Sequence, residues 1–251
     1  MKKYGLVGYP LGHSFSRKFF SEKFERENLD AEYLNFEIPD ISLLMNTLSS
    51  VQGLKGVNVT IPYKEQTLSF LNELDDEAKK IGAINVIRIS HADDGAMHLK
   101  GYNTDIVGFQ QSIAPLLGEC HKKALVLGTG GASKAIVRGL ENLGIQATLV
   151  SRKPSARMLS YDDLTESVMA EYRVVVNTTP LGTFPNIENA PDIPYQYLTT
   201  DHLLYDLVYN PAETLFMKKG KEYGAQVKNG LEMLQLQALA AWNIWNETEE
   251  K

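Results

Sequence analysis

The sequence predicts an α/β protein built on open β-sheets. A strand, a glycine-rich turn, a helix and a second strand follow one another over residues 124–152, which is the pattern of a βαβ unit. The same theme of strand, polar loop and helix occurs in the N-terminal half of the chain. Several of these strands end in polar or charged residues, at the end where open α/β sheets bind ligands.

The βαβ unit is the most informative stretch of the chain. Its first strand, 124–127, ends at Gly128, and apolar residues recur at helical spacing over 132–143 until Gly144 stops the helix. A second strand, 147–150, ends about 20 residues after the glycines, as a dinucleotide-binding fold requires.

The glycines of the turn have separate roles. Gly128 permits a tight exit from the strand, and Gly130 lets the backbone approach a pyrophosphate, which the amides of the next helix would face. Ala132 and Ala135 keep that helix close to the sheet. The motif reads GxGGA rather than GxGxxG. We expect dinucleotide binding; an ordinary βα turn, or the similar turns of methyltransferases and flavoproteins, is the alternative.

The end of the second strand indicates which dinucleotide binds. NAD-preferring sites usually have Asp or Glu there, whereas this chain has Ser151, Arg152 and Lys153. Two cations suit a 2′-phosphate, and the guanidinium of Arg152 can also stack on adenine. These residues favour NADP, with a solvated surface turn as the alternative interpretation.

Composition limits the partners and the compartment. The 251 residues, 43% of them hydrophobic, suffice for two modest domains or one large one. A net charge of −6 without an offsetting basic stretch argues against nucleic-acid and acidic-membrane partners. The single cysteine, Cys120, excludes an internal disulfide, and no stretch has the pattern of a signal peptide or a membrane span. We expect a cytoplasmic protein.

The first strands of the N-terminal half end in polar loops. Strands are predicted at 4–9, 32–38 and 56–59, and helices run to residue 28 and over 40–48. Ser14 and Ser16 stand where a helix N-cap is expected, but they also follow a strand end, where ligands bind.

The third of these strands leads to a second polar cluster. Thr60, Tyr63 and Lys64 follow it closely, and Pro62 is expected in the first turn of the next helix. A lysine in a first helical turn is commonly just exposed, so both interpretations of Lys64 stay open.

A short helix over 75–82 precedes a predicted hairpin. The strand that begins at Gly82 is expected to pair with residues 97–105 across an Asp-Asp-Gly turn at 93–95. The hairpin carries Asn103 and Thr104 to its end, followed by Asp105, which either caps a helix over 106–117 or belongs to a site.

The remaining elements complete an alternating pattern. They are a helix over 161–171, a strand with a polar tip at 177–179, a loop over 184–197, a strand ending at Tyr209 and Pro211, and a helix over 214–223. A long apolar helix, 231–245, follows Asn229 and Gly230. Gln235 and Gln237 are its buried-looking polar residues, and its two tryptophans suggest packing across a domain junction.

Eight ordered motifs resemble the shikimate dehydrogenase family. They are GYPLGHSFS at 8–16, GVNVTIPYK at 56–64, GAIN at 82–85, GYNTD at 101–105, LGTGGASKA at 127–135, NTTPLG at 177–182, DLVYNP at 206–211 and NGLEMLQLQ at 229–237. The resemblance covers nearly the whole chain. It implies reversible NADPH-dependent reduction of 3-dehydroshikimate to shikimate in aromatic amino-acid biosynthesis.

The resemblance also implies a domain organisation. An open α/β substrate-binding and catalytic domain would span 1–105 together with 230–251, and a Rossmann-type NADP-binding domain would span 106–229. The C-terminal helix would return to the first domain. A homodimer is compatible with this arrangement, and the small-molecule substrate is the only partner otherwise expected.

The resemblance assigns roles to residues by motif. Lys64 and Asp105 would be the catalytic pair, with Lys64 acting either as acid and base or as an electrostatic stabiliser. The substrate-binding residues would be Ser14, Ser16, Thr60, Asn85, Tyr209 and Gln237. The cofactor-binding residues would be Gly128, Gly130, Gly131, Ala132, Ser151, Arg152, Lys153, Leu207 and Gly230. No metal ligand is expected.

Two other functions stay open from the sequence. One is a quinate/shikimate dehydrogenase that also accepts NAD; a hydroxyl-rich pocket does not exclude quinate, although Arg152 counts against NAD. The other is a non-catalytic NADP-binding regulator, against which the presence of both Lys64 and Asp105 weighs.

Overall fold

The computed structural model describes residues 1–12, 15–92 and 95–247. The chain forms two compact units, Met1–Thr104 with Ala238–Lys251, and Asp105–Gln237. The assignment of substrate to the first unit and cofactor to the second remains a prediction. Ser14, Asp93 and Asp94 lie outside the described residues.

The first unit contains a six-stranded mixed sheet. Its strands are β1 (Lys2–Gly8), β2 (Ala31–Glu37), β3 (Leu54–Val59), β4 (Glu73–Leu74), β5 (Val86–His91) and β6 (Met97–Tyr102). They are arranged in the order β2-β1-β3-β5-β6-β4. β1 pairs in parallel with β2 and β3, whereas β5 is antiparallel to β3 and β6. The predicted pairing of β5 with β6 is confirmed.

The helices of the first unit are α1 (Phe15–Arg26), α2 (Leu44–Ser49) and α3 (Asp76–Ile81). The side chain of Asp75 caps α3 by accepting from the amides of Glu77 and Ala78, and Gly82 ends the helix in the left-handed conformation, with φ 69°. The helix predicted from Asp40 begins as a 3-10 turn, Ile41–Leu43, before α2.

The helix predicted at Pro62 is wrong. Residues 61–65 form turns, and the element that follows is a 3-10 helix, Gln66–Phe70. Tyr63 explains the difference, because its amide donates to the carbonyl of Thr60 and its buried hydroxyl donates to the carbonyl of Ile38 at 2.6 Å. These bonds fix a tight turn where a regular helix would have begun.

The second unit contains a five-stranded parallel sheet. Its strands are β7 (Lys123–Leu127), β8 (Gln146–Val150), β9 (Val174–Asn177), β10 (Leu203–Asp206) and β11 (Gln226–Lys228). The strands are arranged in the order β11-β10-β9-β7-β8. The chain passes from β7 to β8 on one side of β7 and then returns to β9 on its other side. The crevice at the carboxyl ends of β7 and β9 is therefore a topological switch point, where such sheets bind ligands. The predicted Rossmann-type α/β fold is confirmed.

Five α-helices lie in the remaining described residues. They are α4 (Asp105–Ile113), α5 (Gly131–Asn142), α6 (Glu166–Glu171), α7 (Leu215–Glu222) and α8 (Leu231–Asn246). The helix predicted over 161–171 begins only at Glu166, because the side chain of Thr165 caps it there. Among the residues described, no helix combines the length and the apolar character that crossing a bilayer requires.

Alternate residues of each sheet enter different cores. In β7, Ala124 and Val126 belong to one buried cluster, and Leu125 and Leu127 belong to another. The first sheet divides in the same way, so that both sheets are covered on both faces. This double burial explains why the strands of the second unit read as continuous apolar runs.

The end of α8 packs inside the first unit. The indole nitrogen of Trp245 donates to the carbonyl of Ile87 at 3.0 Å, and its ring stacks on Tyr4 with centroids 5.0 Å apart. Trp242 also lies against Tyr4, at 5.3 Å. The contacts of both tryptophans that the structure gives therefore lie within one unit, and packing across a domain junction stays a prediction.

Gly56 provides a test of this packing. A Cβ atom at Gly56 would lie 2.2 Å from the ring of Trp245, which its hydrogen bond holds in place. We expect Gly56→Ala to lower the free energy of unfolding by about 1–3 kcal/mol, as overpacking does. Denaturant unfolding followed by tryptophan fluorescence measures this. Gly118→Ala is the matched control, since its nearest neighbour is 4.0 Å away; equal stability of the two variants would contradict the close packing.

Candidate active site

Polar residues of the first unit meet at one edge of its sheet. β5 runs opposite to β3 and β6, so the beginning of β5 lies beside the ends of these two strands. Asn85 precedes β5, Thr60 follows β3, and Asn103 and Thr104 follow β6. The structure therefore brings together three segments that lie far apart in the sequence.

Asn85 and Thr104 form a buried clamp at this edge. The Asn85 side-chain nitrogen donates to Thr104 Oγ1 at 3.0 Å, and the Thr104 amide donates to Asn85 Oδ1 at 2.7 Å. Both residues are almost completely buried, at 3% and 1% exposure. This pairing fixes the orientation of the predicted substrate residue Asn85. It also fixes the backbone immediately before Asp105.

A second set of buried contacts connects Ser16 to the same edge. The Tyr33 hydroxyl donates to Asn58 Oδ1 at 2.7 Å, and Asn58 Nδ2 donates to the carbonyl of Asn85 at 3.4 Å. Burial raises the pKa of Tyr33 well above its usual value, and a hydrogen bond with Ser16 acts against this. Tyr33 is therefore a protonated donor between two segments of the site.

Tyr33 and Asn58 were not predicted as site residues. Asn58 is a polar residue inside the apolar strand β3, and it is 4% exposed. A buried amide in such a position needs a hydrogen-bond partner, and this is the signal that could have identified it. Tyr33 gave no comparable signal, because tyrosine is common in half-buried strands.

Lys64 is held by its backbone on the first unit. Its carbonyl accepts from the amide of Ile84 at 2.8 Å, next to Asn85. Its neighbour Tyr63 is anchored by Thr67, whose hydroxyl and amide donate to the Tyr63 carbonyl at 2.6 and 3.0 Å. The Lys64 side chain is half-buried, like that of Thr60. The lysine is thus carried by a rigid turn at the edge that holds Asn85.

The glycine-rich turn of the second unit fits a dinucleotide phosphate. Gly128 has φ 104°, and a Cβ there would lie 3.0 Å from side-chain atoms of Thr178 and Thr179. Gly130 is the N-cap of α5 without a capping side chain, and the first turn of α5 has no acidic residue. A Cβ at Gly130 would meet no described protein atom within 4 Å, so the backbone there is open to a ligand.

The predicted 2′-phosphate residues follow β8 as an ordered turn. The Lys153 amide donates to Ser151 Oγ at 3.1 Å, and the same hydroxyl donates to the Lys153 carbonyl at 3.2 Å. The Ser151 amide donates to the carbonyl of Leu159 at 2.9 Å. Arg152 and Lys153 are exposed. The side chain and the amide of Ser151 therefore hold the turn in place, while the side chains of Arg152 and Lys153 stay at the surface.

The strand predicted to end at Tyr209 and Pro211 ends earlier, at Asp206. Asp206 is fully buried, and it accepts hydrogen bonds from Asn177, Val208 and Thr214. These bonds turn the chain away from the sheet. Burial raises the pKa of Asp206 to about 6, and the hydrogen bonds partly oppose the shift.

The predicted nicotinamide residues are Leu207, which follows this aspartate in the chain, and Gly230, which lies against Leu207. A Cβ at Gly230 would approach the carbonyl oxygen of Leu207 to 2.2 Å, so these two backbone segments are in direct contact. Tyr209 lies beyond the strand and is 36% exposed. Burial raises the pKa of Tyr209.

Asp105 and Gln237 are the first and last residues of the second unit. Asp105 begins α4 and Gln237 lies in α8, and each is 7% exposed. A Cβ at Gly108 would lie 3.0 Å from the amide nitrogen of Gln237, so α4 and α8 pack closely at this point. Gln235, also predicted to be buried, is exposed.

Comparison with known proteins agrees with this picture. The family model for the shikimate dehydrogenase substrate binding domain matches residues 6–87. A shikimate dehydrogenase (NADP(+)) of Carboxydothermus hydrogenoformans is 39% identical in an alignment of length 261, gaps included. The alignment covers 96% of this chain and 90% of that protein.

Solved structures are also similar to this chain over nearly its whole length. The crystal structure of shikimate dehydrogenase from Aquifex aeolicus has 34% identity and a TM-score of 0.85, covering 100% of this chain and 94% of that one. Shikimate 5-dehydrogenase from Thermus thermophilus, in complex with NADP(H) and shikimate, has 29% identity and a TM-score of 0.84 over 98% and 94% of the two chains. The chain therefore belongs to the shikimate dehydrogenase family.

Proposed function

We propose that the protein is an oxidoreductase that catalyses the reversible reduction of 3-dehydroshikimate to shikimate with NADPH. The observation that carries this proposal is the presence of two complementary sites in one chain. The first unit has a buried polar edge around Asn85 and Thr104, and the second has an open glycine turn followed by two exposed cations. Its relatives named shikimate dehydrogenase (NADP(+)) support the same reaction.

The second unit is proposed to bind NADP or NADPH; the reduced form would supply the hydride for reduction, and the oxidised form would accept it in the reverse reaction. The backbone at Gly128, Gly130, Gly131 and Ala132 would hold the pyrophosphate, with the α5 amides directed at its charge. Ser151, Arg152 and Lys153 would hold the adenosine phosphate, since the guanidinium provides a fork of donors that matches a phosphate. Leu207 and Gly230 would border the nicotinamide.

The first unit is proposed to hold the hydroxyl and carboxylate groups of the substrate. The residues assigned to substrate binding are Ser14, Ser16, Thr60 and Asn85 of that unit, together with Tyr209 and Gln237 of the second unit. For Asn85, the support is the clamp with Thr104, which fixes the amide before a substrate arrives. Pre-organised donors and acceptors of this kind orient a ring without an entropic cost of ordering at the moment of reaction.

Lys64 and Asp105 are proposed to manage the proton on the reacting oxygen. Lys64 would donate to that oxygen during reduction and accept from it during oxidation. In the alternative, Lys64 stays cationic, stabilises the developing alkoxide charge and relays the proton through Asp105. We further propose that the enzyme works in the cytoplasm; a homodimer is compatible with the proposed reaction.

Initial rates with shikimate or quinate, each offered with NADP or NAD, test the proposed reaction. We expect NADPH formation with shikimate, because the buried edge of the first unit and the cations of the second are both present. Absorbance of the reduced nicotinamide measures it. Comparable rates with quinate or NAD would move the protein to the broader quinate/shikimate group. Tight NADP binding without turnover would favour a regulator.

Lys64→Ala tests the proton assignment. We expect turnover to fall by about a hundredfold or more, while the dissociation constant of shikimate stays nearly unchanged, because a general acid-base group acts mainly in the transition state. Stopped-flow rates and calorimetry measure the two quantities. Lys55→Ala, at an exposed lysine of β3, is the control. Unchanged turnover with a raised Michaelis constant would reassign Lys64 to binding.

Arg152→Ala tests the cofactor assignment. Loss of a charge-assisted contact to the 2′-phosphate should weaken NADP binding by about tenfold to a hundredfold and leave NAD binding nearly unchanged. Calorimetric titration with both cofactors measures this difference. Lys122→Ala removes an exposed cation that precedes β7 and should change neither affinity. If NADP binds Arg152→Ala as tightly as it binds the unsubstituted protein, the phosphate assignment is wrong.

A further inference from the structure

Asp206 is a buried acid that the mechanism above does not use. It is the last residue of β10 and has no exposed surface. Moving a carboxylate out of water is costly, and burial raises the pKa of Asp206 to about 6. A group of this kind needs several donors to keep it in place.

Three separate segments provide those donors. Asn177 Nδ2 and the amide of Val208 donate to Oδ1 at 2.9 and 3.0 Å, and the Thr214 hydroxyl donates to Oδ2 at 2.6 Å. Asn177 ends β9, Val208 follows β10, and Thr214 is the N-cap of α7. One carboxylate thus connects the tip of the neighbouring strand, the loop after its own strand and the start of the next helix.

Two of these partners extend the network. Asn177 Oδ1 accepts from the amide and the hydroxyl of Thr179 at 3.0 and 2.6 Å. Thr214 Oγ1 accepts from the amide of Met217 at 3.3 Å. The side chain of Asp206 therefore orders the NTTPLG segment and the first turn of α7 together.

The backbone that these contacts position is that of Leu207. Its amide donates to the carbonyl of Asn177 at 3.0 Å, and its carbonyl oxygen faces Gly230. The amide of Gly230 in turn donates to the carbonyl of Val208 at 3.2 Å. Leu207 and Gly230 thus form one rigid backbone surface, whose position depends on the carboxylate between Asn177 and Val208.

We propose that Asp206 is a positioning residue for the nicotinamide end of the cofactor, acting through Leu207 and Gly230. The inference rests on the proposed function, since it takes these two residues to border the nicotinamide. Hydride transfer is sensitive to small displacements of the reacting ring, so the support behind that backbone surface affects catalysis without touching the cofactor.

The test compares Asp206→Ala and Asp206→Asn with His202→Gln. His202 immediately precedes β10, is 2% exposed, and bonds to Thr199 and Met169. It is a buried polar residue beside the end of the strand opposite to Asp206. His202→Gln should lower the melting temperature while the dissociation constant of NADPH and the Michaelis constant for NADP stay within about twofold, because a destabilised protein has fewer folded molecules but an intact site.

Asp206→Ala should weaken NADPH binding in calorimetry by about tenfold and lower turnover by about thirtyfold, with shikimate affinity unchanged. The deuterium isotope effect on turnover should rise, because a misplaced ring slows the hydride step itself. Asp206→Asn should retain NADPH affinity within about threefold, since the amide oxygen still accepts from Asn177 and Val208. If Asp206→Ala fails to fold, Thr214→Val should still weaken NADPH binding by about threefold. This variant removes the contact to Oδ2 and the N-cap bond to Met217, and it leaves both contacts to Oδ1 in place.

The proposal is overturned if Asp206→Ala, or Thr214→Val in its place, folds and binds NADPH like the unsubstituted protein. It is also overturned if His202→Gln weakens NADPH binding to the same extent, since the effect would then be one of stability. An unsubstituted protein that binds NADPH but does not oxidise shikimate would refute the proposed reaction alone. In that case the binding comparison would still decide the role of Asp206.

Discussion

The packing of Trp245 against Gly56 anchors the C-terminal part of α8 in the core of the first unit. The last turns of α8 complete the core of the first unit, so the chain must leave that unit once and return to it once. The two crossings are Thr104 to Asp105 and Gln237 to Ala238. Asp105 and Gln237, which the family resemblance assigns to catalysis and substrate binding, are therefore the residues at which the two units are covalently joined.

Buried and exposed polar residues have different tasks in this protein. The Asn85–Thr104 clamp and the contacts of Asp206 are buried and mutually satisfied, which fixes their geometry before any ligand binds. Arg152 and Lys153 are exposed on an ordered turn. An exposed cation carries little desolvation cost, so selection between cofactors can depend on it without a loss of stability. In the proposed function, buried residues would therefore orient the ligands, and exposed cations would recognise the charge of the cofactor.

The sequence predicted the βαβ unit well because its signals are local. An apolar strand, a glycine turn and an amphipathic helix define each other within thirty residues, about the length of one βαβ unit. β4 and β11 have two and three residues, too few to show any period. The end of β10 depended on the side chain of Asp206, whose partners Asn177 and Thr214 lie in other segments.

The sequence predicted some residues of the candidate site and missed others. Several motif residues follow the ends of neighbouring strands, so the strand order brings them close together. Tyr33 and Asn58 instead contact each other from two different strands, and the spacing of residues in the sequence does not reveal such a contact. Gln235 and Gln237 lie on nearly opposite sides of α8, because residues two apart in a helix point in nearly opposite directions. Only the packing of α8 decides which of them faces inward, and it is Gln237.

The two ends of β10 respond to pH in opposite directions. His202 is buried with a lowered pKa, caused first by desolvation, so its contribution to stability is present above its ordinary value of 6.5 and is lost as pH falls. Asp206 has a raised pKa, so its contribution is complete below 3.8 and is lost as pH rises through about 6. The difference between a pKa of 3.8 and one of about 6 corresponds to about 3 kcal/mol. At neutral pH, where Asp206 is ionised, the free energy of unfolding is therefore lower by about this amount than with a protonated Asp206. A neutral residue would avoid that cost, whereas an ionised carboxylate accepts from three donors at once, which suits a role in positioning better than a role in stability alone.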